Sequence, residues 1–169
     1  ACLLAECPMR AMQMAAQLDG INKQRQELQA DMVEHADLIL EKHAAEHGGI
    51  PAGICLYDEG WHVGIVGLVA SKIKERTHRP AIAFAATAEK ADELRGSARS
   101  IDGINIRDTL ADIARDNPDL IPRFGGHAMA AGLCIAKSDL ARFSRLFEQR
   151  VARESDARTR GAAVARRRG

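Results

Sequence analysis

Long apolar runs are missing: no stretch of this 169-residue chain approaches the ~20 consecutive apolar residues that cross a bilayer as a helix. The opening residues, Ala1-Cys2-Leu3-Leu4-Ala5-Glu6-Cys7-Pro8, carry no basic region ahead of their short apolar stretch, which sets them apart from a secretory signal. No membrane partner is expected, and a cytoplasmic location is. The chain does not begin with Met and opens in mid-pattern, so it reads as a piece of something longer. Paired cysteines are missing as well. Cys2, Cys7, Cys55 and Cys134 form no Cys-x-x-Cys pair and have no histidines at zinc spacing, which predicts free thiols and no metal site. No paired-carboxylate cluster and no Ser/His/Asp order stands out, so a complete catalytic site is not visible.

A strong overall charge is also absent, the net being +1. From Glu148 to Gly169 there are seven arginines against three acids, a local +4. The remainder therefore carries +1 minus +4, or −3. A mildly acidic body must bind any polyanion by local geometry and not by a basic field over its whole surface. The Ala/Arg/Gly-rich end is low in complexity and gives no reason to pack, so it is expected to be disordered or a plain extension of the last helix.

What is present is ordinary for one globular domain: 46% hydrophobic and 28% charged residues. No proline lies between Met9 and His47, which predicts a long helix or helix pair, with Pro8 in its first turn and Gly20 as its weak point. Steps of three and four through Leu18, Ile21, Leu28, Met32 and Ile39 also pass through Arg25 and His35. That stripe suits a helix lying along its own protein better than a coiled coil, which remains the dimerising alternative. His43 and His47 lack the glutamate and third ligand of a zinc helix and read as a helix end before Gly48-Gly49.

Beyond the helix, apolar runs at 51–57 and 80–86 predict short buried strands, with a helix from about His62 to Arg76 between them. Leu94-Arg95-Gly96-Ser97-Ala98-Arg99-Ser100 predicts a polar strand. Asn105 with Asp108 predicts a capped helix running toward Ala114, Leu133–Ile135 a last strand, and Ser138 the cap of a helix through Phe147. The fold class is α/β: a small mixed sheet flanked by helices and preceded by a long connecting helix. Three regions follow: 1–48 for the connecting helix, 49–148 for the α/β domain and 149–169 for the arginine-rich tail.

Three features suggest chemistry. In Phe124-Gly125-Gly126-His127-Ala128-Met129-Ala130-Ala131-Gly132, two glycines precede a helix-permissive run, so a helix opening at His127 would aim free N–H groups at an anion. The plain alternative is a tight turn and a small-residue helix packed on a sheet. Ser97 and Arg99 share one face of the polar strand, and a hydroxyl beside a guanidinium suits a phosphodiester. The plain alternative there is an edge strand with a solvated face. His62, after Trp61 at a helix start, is either a donor to an anion or a ring satisfied by its own turn.

These segments, together with Gly60-Trp61-His62-Val63-Gly64-Ile65-Val66-Gly67-Leu68-Val69-Ala70-Ser71 and Gly96-Ser97-Ala98-Arg99-Ser100-Ile101, resemble RecJ-type single-stranded-DNA exonucleases of the DHH phosphoesterase family. The match is to the DHH-associated second lobe, and Leu18-Asp19-Gly20-Ile21-Asn22 with Arg25 is similar to the end of the first lobe and the joining helix. The resemblance implies a lobe that grips substrate phosphates through Ser97, Arg99, Ser100, Gly125, Gly126, His127, Trp61 and His62, with His127 touching the reacting phosphate. It further implies hydrolysis from the 5′ end, a role in DNA repair and recombination, and manganese or magnesium held by a DHH lobe elsewhere in the same protein. No Asp-His-His motif occurs in this sequence, so no metal ligand is carried over and no cofactor is expected in this chain. The partners implied are single-stranded DNA and that DHH lobe, in a monomer. Aromatic residues make up only 4%, which points to backbone contacts over base stacking. Related lobes that act on oligoribonucleotides or cyclic dinucleotides, or serve as non-catalytic nucleic-acid-binding modules such as the accessory domain of alanyl-tRNA synthetases, are the alternatives.

Overall fold

The computed structural model describes residues 3–166. Cys2, Arg167, Arg168 and the His47 side chain lie outside the described residues. The order of elements is α1 (Leu3–His47), β1 (Ile54–Tyr57), α2 (Val66–Thr77), β2 (Ala81–Ala86), β3 (Glu93–Arg99), α3 (Ile106–Asp116), β4 (Arg123–Gly126), β5 (Ala130–Ala136), a 3₁₀ turn at Lys137–Asp139 and α4 (Leu140–Arg166). The strands form one mixed sheet in the order β1-β2-β3-β5-β4. β1 and β2 are parallel, joined through α2, and every other neighbour pair is antiparallel. The α/β class with a long leading helix is the architecture observed.

Each face of the sheet has its own core. On one face Ile82, Phe84, Leu94, Ala98, Leu133 and Ile135 pack against α3 and α4, where Phe143 meets Phe84 edge-on at 5.7 Å and stacks on Phe147 at 6.0 Å. On the other face α1 and α2 cover β1 and β2, and α2 also reaches β3: Met32, Ala36 and Leu40 of α1 and Val66, Val69, Ala70 and Ile73 of α2 pack over Ile54, Leu56, Ala81, Ala83 and Ala85. The i, i+4, i+8 spacing of the three α1 residues puts them on one stripe. The connecting helix is continuous through Gly20 and starts ahead of Pro8, which therefore lies inside it. Its buried stripe is confined to the last turns, and Leu18, Ile21 and Leu28 are exposed.

The helix expected from His62 begins instead at Val66, because residues 58–65 are taken up by turns: Gly60 N–H donates to Asp58 Oδ1 at 2.8 Å and Gly64 N–H to His62 Nδ1 at 3.0 Å. α3 starts as expected, with the Asn105 side chain accepting from Asp108 N–H. α4 runs unbroken past residue 148, and its far part is tied to the body. Val151 is fully buried, Glu154 accepts from the buried Thr109 hydroxyl at 3.1 Å, and Arg158 donates to the Asp102 carbonyl at 2.7 Å. The expectation that the arginine-rich end has no reason to pack fails for this stretch, since those contacts satisfy groups that the sequence pattern does not link.

Cys7, Cys55 and Cys134 are free thiols. Burial pushes the Cys55 thiol well above its ordinary pKa, opposed in part by a hydrogen bond with Ser144. Among described cysteines, exposed Cys7 should be alkylated fastest and Cys55 slowest, read by mass spectrometry of the native chain; equal rates would mean that the β1 edge opens readily. Leu40→Ala should lower stability by about 2–5 kcal/mol, whereas Leu18→Ala on the exposed half of α1 should stay within ~0.5 kcal/mol, both read from denaturant melts.

Candidate nucleic-acid interface

The two-residue period of β3 sends Leu94, Gly96 and Ala98 into the α3/α4 core and puts Glu93, Arg95, Ser97 and Arg99 on the opposite face. β3 is not an edge strand: β2 flanks it on one side and β5 on the other. Its polar face is therefore a floor and not a rim. The register extends that floor over three strands, because residues directly opposite in a sheet share a face. Arg99 pairs with Ala130; Ser97 pairs with Gly132, which pairs in turn with Gly125; and Arg95 pairs with Cys134, which pairs in turn with Arg123. None of these residues is fully buried.

α2 closes one side of this floor. A Cβ built on Gly67 would lie 2.8 Å from the Arg99 guanidinium and 3.6 Å from Ser97 Oγ. Glycine there leaves α2 the space into which the end of the Arg99 side chain runs. Arg99 also donates from Nη1 to the Ala98 carbonyl at 2.9 Å, which steers the fork.

The Gly-Gly-His segment departs from expectation. No helix opens at His127; the segment is a hairpin in which β4 ends at Gly126 and β5 begins at Ala130. Ala and Met favour helix, but the register of Ala130–Ala136 with β3 overrides that local preference. Three backbone bonds hold the turn: His127 N–H to Ala130 O at 2.8 Å, Ser100 N–H to Met129 O at 2.9 Å and Ile106 N–H to Ala128 O at 2.9 Å. His127 is exposed, and the Ala130 to which its N–H bonds is the residue paired with Arg99.

The two glycines do different things. Gly126 has φ +146°, and a Cβ there would meet the Ala130 carbonyl at 2.5 Å. Around Gly125 a Cβ would find nothing within 4 Å. Since His127 and Ala130 form a bonded pair, ladder alternation commits the Gly125 N–H to β5 and turns the Gly126 N–H out along the open edge.

Three expected residues are not brought to the floor. Ser100 is fully buried, and its hydroxyl donates to the Ile104 carbonyl at 2.6 Å, so it positions the turn and does not face a ligand. Trp61 is 5% exposed and packs edge-on to His35 of α1, at 6.3 Å, which excludes it as a stacking platform. His62 is exposed but accepts from Gly64 on Nδ1, leaving Nε2–H as its donor in the neutral ring. Arg95 and Arg123 are on the floor although sequence reasoning passed them over. The alternation that selected Ser97 and Arg99 includes Arg95 as well.

Among the described residues no three His, Cys, Asp or Glu side chains converge to hold a metal ion. None of the described helices is long and apolar enough to cross a membrane.

A family model, the DHHA1 domain, matches residues 48–153. The chain belongs to the DHHA1 domain family. Its DHHA1 region and leading helix are similar to the single-stranded-DNA-specific exonuclease RecJ of Haemophilus influenzae, 45% identical over 150 residues, and of Escherichia coli, 39% identical over 151, each comparison covering 89% of this chain and 26% of the relative. The chain spans about a quarter of the length of these curated relatives. The structure of RecJ from Thermus thermophilus in complex with Mn²⁺ aligns with a TM-score of 0.64 at 30% identity, covering 82% of this chain and 18% of that one. The DHHA1 domain boundary at 153 falls inside α4, which continues to Arg166.

Gly126→Ala should destabilise the DHHA1 hairpin by about 1–3 kcal/mol through strain at positive φ, read in thermal melts. Gly125→Ala should leave the melt unchanged. If Gly126→Ala melts like the parent chain, the hairpin does not depend on that backbone conformation.

Proposed function

We propose that this chain is the substrate-gripping lobe of a RecJ-like single-stranded-DNA exonuclease, with a DHH lobe elsewhere in the same protein supplying manganese or magnesium. The observation that carries the reading is the floor of β3, β5 and β4 beside α2, where Ser97, Arg99 and Gly125 share one face and the exposed His127 stands at the end of the hairpin, its N–H bonded to the Ala130 carbonyl in the row of Arg99. Similarity to RecJ along 89% of the chain supports it. The guanidinium of Arg99 and the ring of His127 lie two strands apart, about 10 Å between backbones, with the small Ala130 between them. A phosphate seated over Ala130 would lie between the two positions, and Arg99 would turn its guanidinium from the Ala98 carbonyl to meet it. Ser97 adds a hydroxyl donor, and Gly125 lets the sugar-phosphate chain approach the sheet.

Recognition by such a floor is of the backbone and independent of sequence. Trp61 is buried under α1 and offers no ring to a base. In the complete enzyme the lobe would hold the strand against the metals while neutralising phosphate charge from the opposite side. A cytoplasmic monomer engaged in DNA repair and recombination is the setting this reading implies.

Arg99→Ala and His127→Ala should each weaken binding of a short single strand, measured by fluorescence anisotropy at low salt. Because both donors would act on one phosphate, the double variant should lose less than the sum, with a coupling of roughly 0.5–3 kcal/mol. Circular dichroism of each variant should match the parent. Full-strength binding by both folded variants would overturn the proposed site. The chain by itself should release no mononucleotides from labelled single-stranded DNA with manganese or magnesium.

A further inference from the structure

Arg95 is left over by the site just described. It is exposed, it sits on the same face as Ser97 and Arg99, and no ion pair or hydrogen bond engages its side chain among the described residues. Its neighbours on that face differ. Glu93 is held by Arg123 at 2.7 Å and by Lys90 at 3.7 Å, so the acid at this end of the floor is already neutralised by two cations. The row through Arg95 crosses Cys134 and Arg123, and the next row crosses Ser97, Gly132 and Gly125. The strand positions between the Arg95 and Arg99 rows are thus small or polar.

We infer that β3 is a phosphate ladder, in which Arg95 is a second phosphate-binding residue that takes the backbone of a longer single strand beyond the phosphate held at Arg99. The inference rests on the proposed function above. Strand geometry sets the spacing: alternate residues are ~6.7 Å apart and Arg95 and Arg99 ~13 Å apart, so the strand offers a donor at each second residue along one straight line. An extended polynucleotide presents its phosphates in the same way, as regularly spaced anions on one side of its backbone. Arg95 meets such a chain as a guanidinium with no competing carboxylate, since Glu93 is turned to Arg123 and Lys90. Ser97 lies between the two arginines and donates to the linkage that passes over the small residues Gly132 and Gly125. The ligand class is a single-stranded oligonucleotide longer than a dinucleotide, read by its phosphates.

Two probes separate the subsites: a 5′-phosphorylated thymidine dinucleotide and an oligothymidylate of about ten nucleotides, each titrated into the whole chain by anisotropy or calorimetry. Arg95→Ala should weaken the longer probe about tenfold and lower its salt slope by about 0.7, the value for one lost single-strand phosphate contact. Dinucleotide binding should not change. Arg95→Lys should recover most of the loss. Arg107→Ala, which removes an exposed arginine from α3 on the other side of the sheet, should leave both probes unaffected. Wild-type binding of the longer probe by Arg95→Ala, while Arg99→Ala weakens both probes, would overturn the ladder and leave the proposed function standing. If Arg99→Ala also binds both probes normally, the proposed function fails with it. An equal loss from Arg107→Ala would overturn the ladder too, by showing that net charge and not placement sets affinity.

Discussion

The register of β5 between β3 and β4 is the constraint on which the rest depends. It aligns Ala131 with Ala98 and Leu133 with Gly96, which sends every second residue of both strands into the α3/α4 core. The same register sends the intervening residues to the open floor. A slip of β5 by one residue would turn its own side chains over, bringing Leu133 and Ile135 onto the floor and Ala130, Gly132 and Cys134 into the core. The core therefore fixes the site. The turn at 127–129 locks this arrangement from the end of the hairpin, because Ser100 N–H and Ile106 N–H are bonded to its carbonyls. Ser100 thus works from beneath: it is buried, it ties the end of β3 to the hairpin, and it leaves His127 beside the row of Arg99.

Half of a sheet face left without helices would ordinarily expose apolar surface. Here it does not, because the residues on that half are small or polar: Ala130, Gly132, Cys134 and Gly125 beside Arg95, Ser97, Arg99 and Arg123. α1 and α2 cover the other half, where alanines of β2 and apolar residues of β1 need cover, and α2 reaches as far as β3 at Gly67. The division is written in β2 and β3. On this side of the sheet β2 presents Ala81, Ala83 and Ala85, and β3 presents Arg95, Ser97 and Arg99.

Much of this is legible in the sequence, and the reasons for what is not are local. The absence of proline from 9 to 47 gives the long helix, alternation in 94–100 gives the polar strand, and Asn105 with Asp108 gives the start of α3. The Gly125-Gly126-His127 turn misleads because Ala-Met-Ala-Ala has helix propensity and nothing near it in sequence shows that β3 is its partner. Pairing across about thirty residues decides, as is usual for strands. Trp61 and Ser100 mislead for a related reason. Their neighbours in sequence are chemically suggestive, but what buries them, His35 of α1 and the Ile104 carbonyl, is set by tertiary packing. Thr109 and Glu154 meet across 45 positions, which no periodicity records.

The contrast between Gly125 and Gly126 shows how far a motif can be divided by physics. Two identical residues, adjacent in a pattern that reads as a single anion cradle, are held for unrelated reasons. Gly126 is required by the chain itself: its φ is positive, and the Ala130 carbonyl occupies the space a methyl would need. Gly125 has no such intrachain requirement, since a methyl there would touch nothing within 4 Å. A residue whose side chain could be added at no cost to the fold, yet which sits flat on an exposed floor between Ser97 and the sheet edge, leaves space that the protein's own packing does not use. Close approach by something outside the chain is the physical role open to it, and the arginines on either side of its row give that approach a sign.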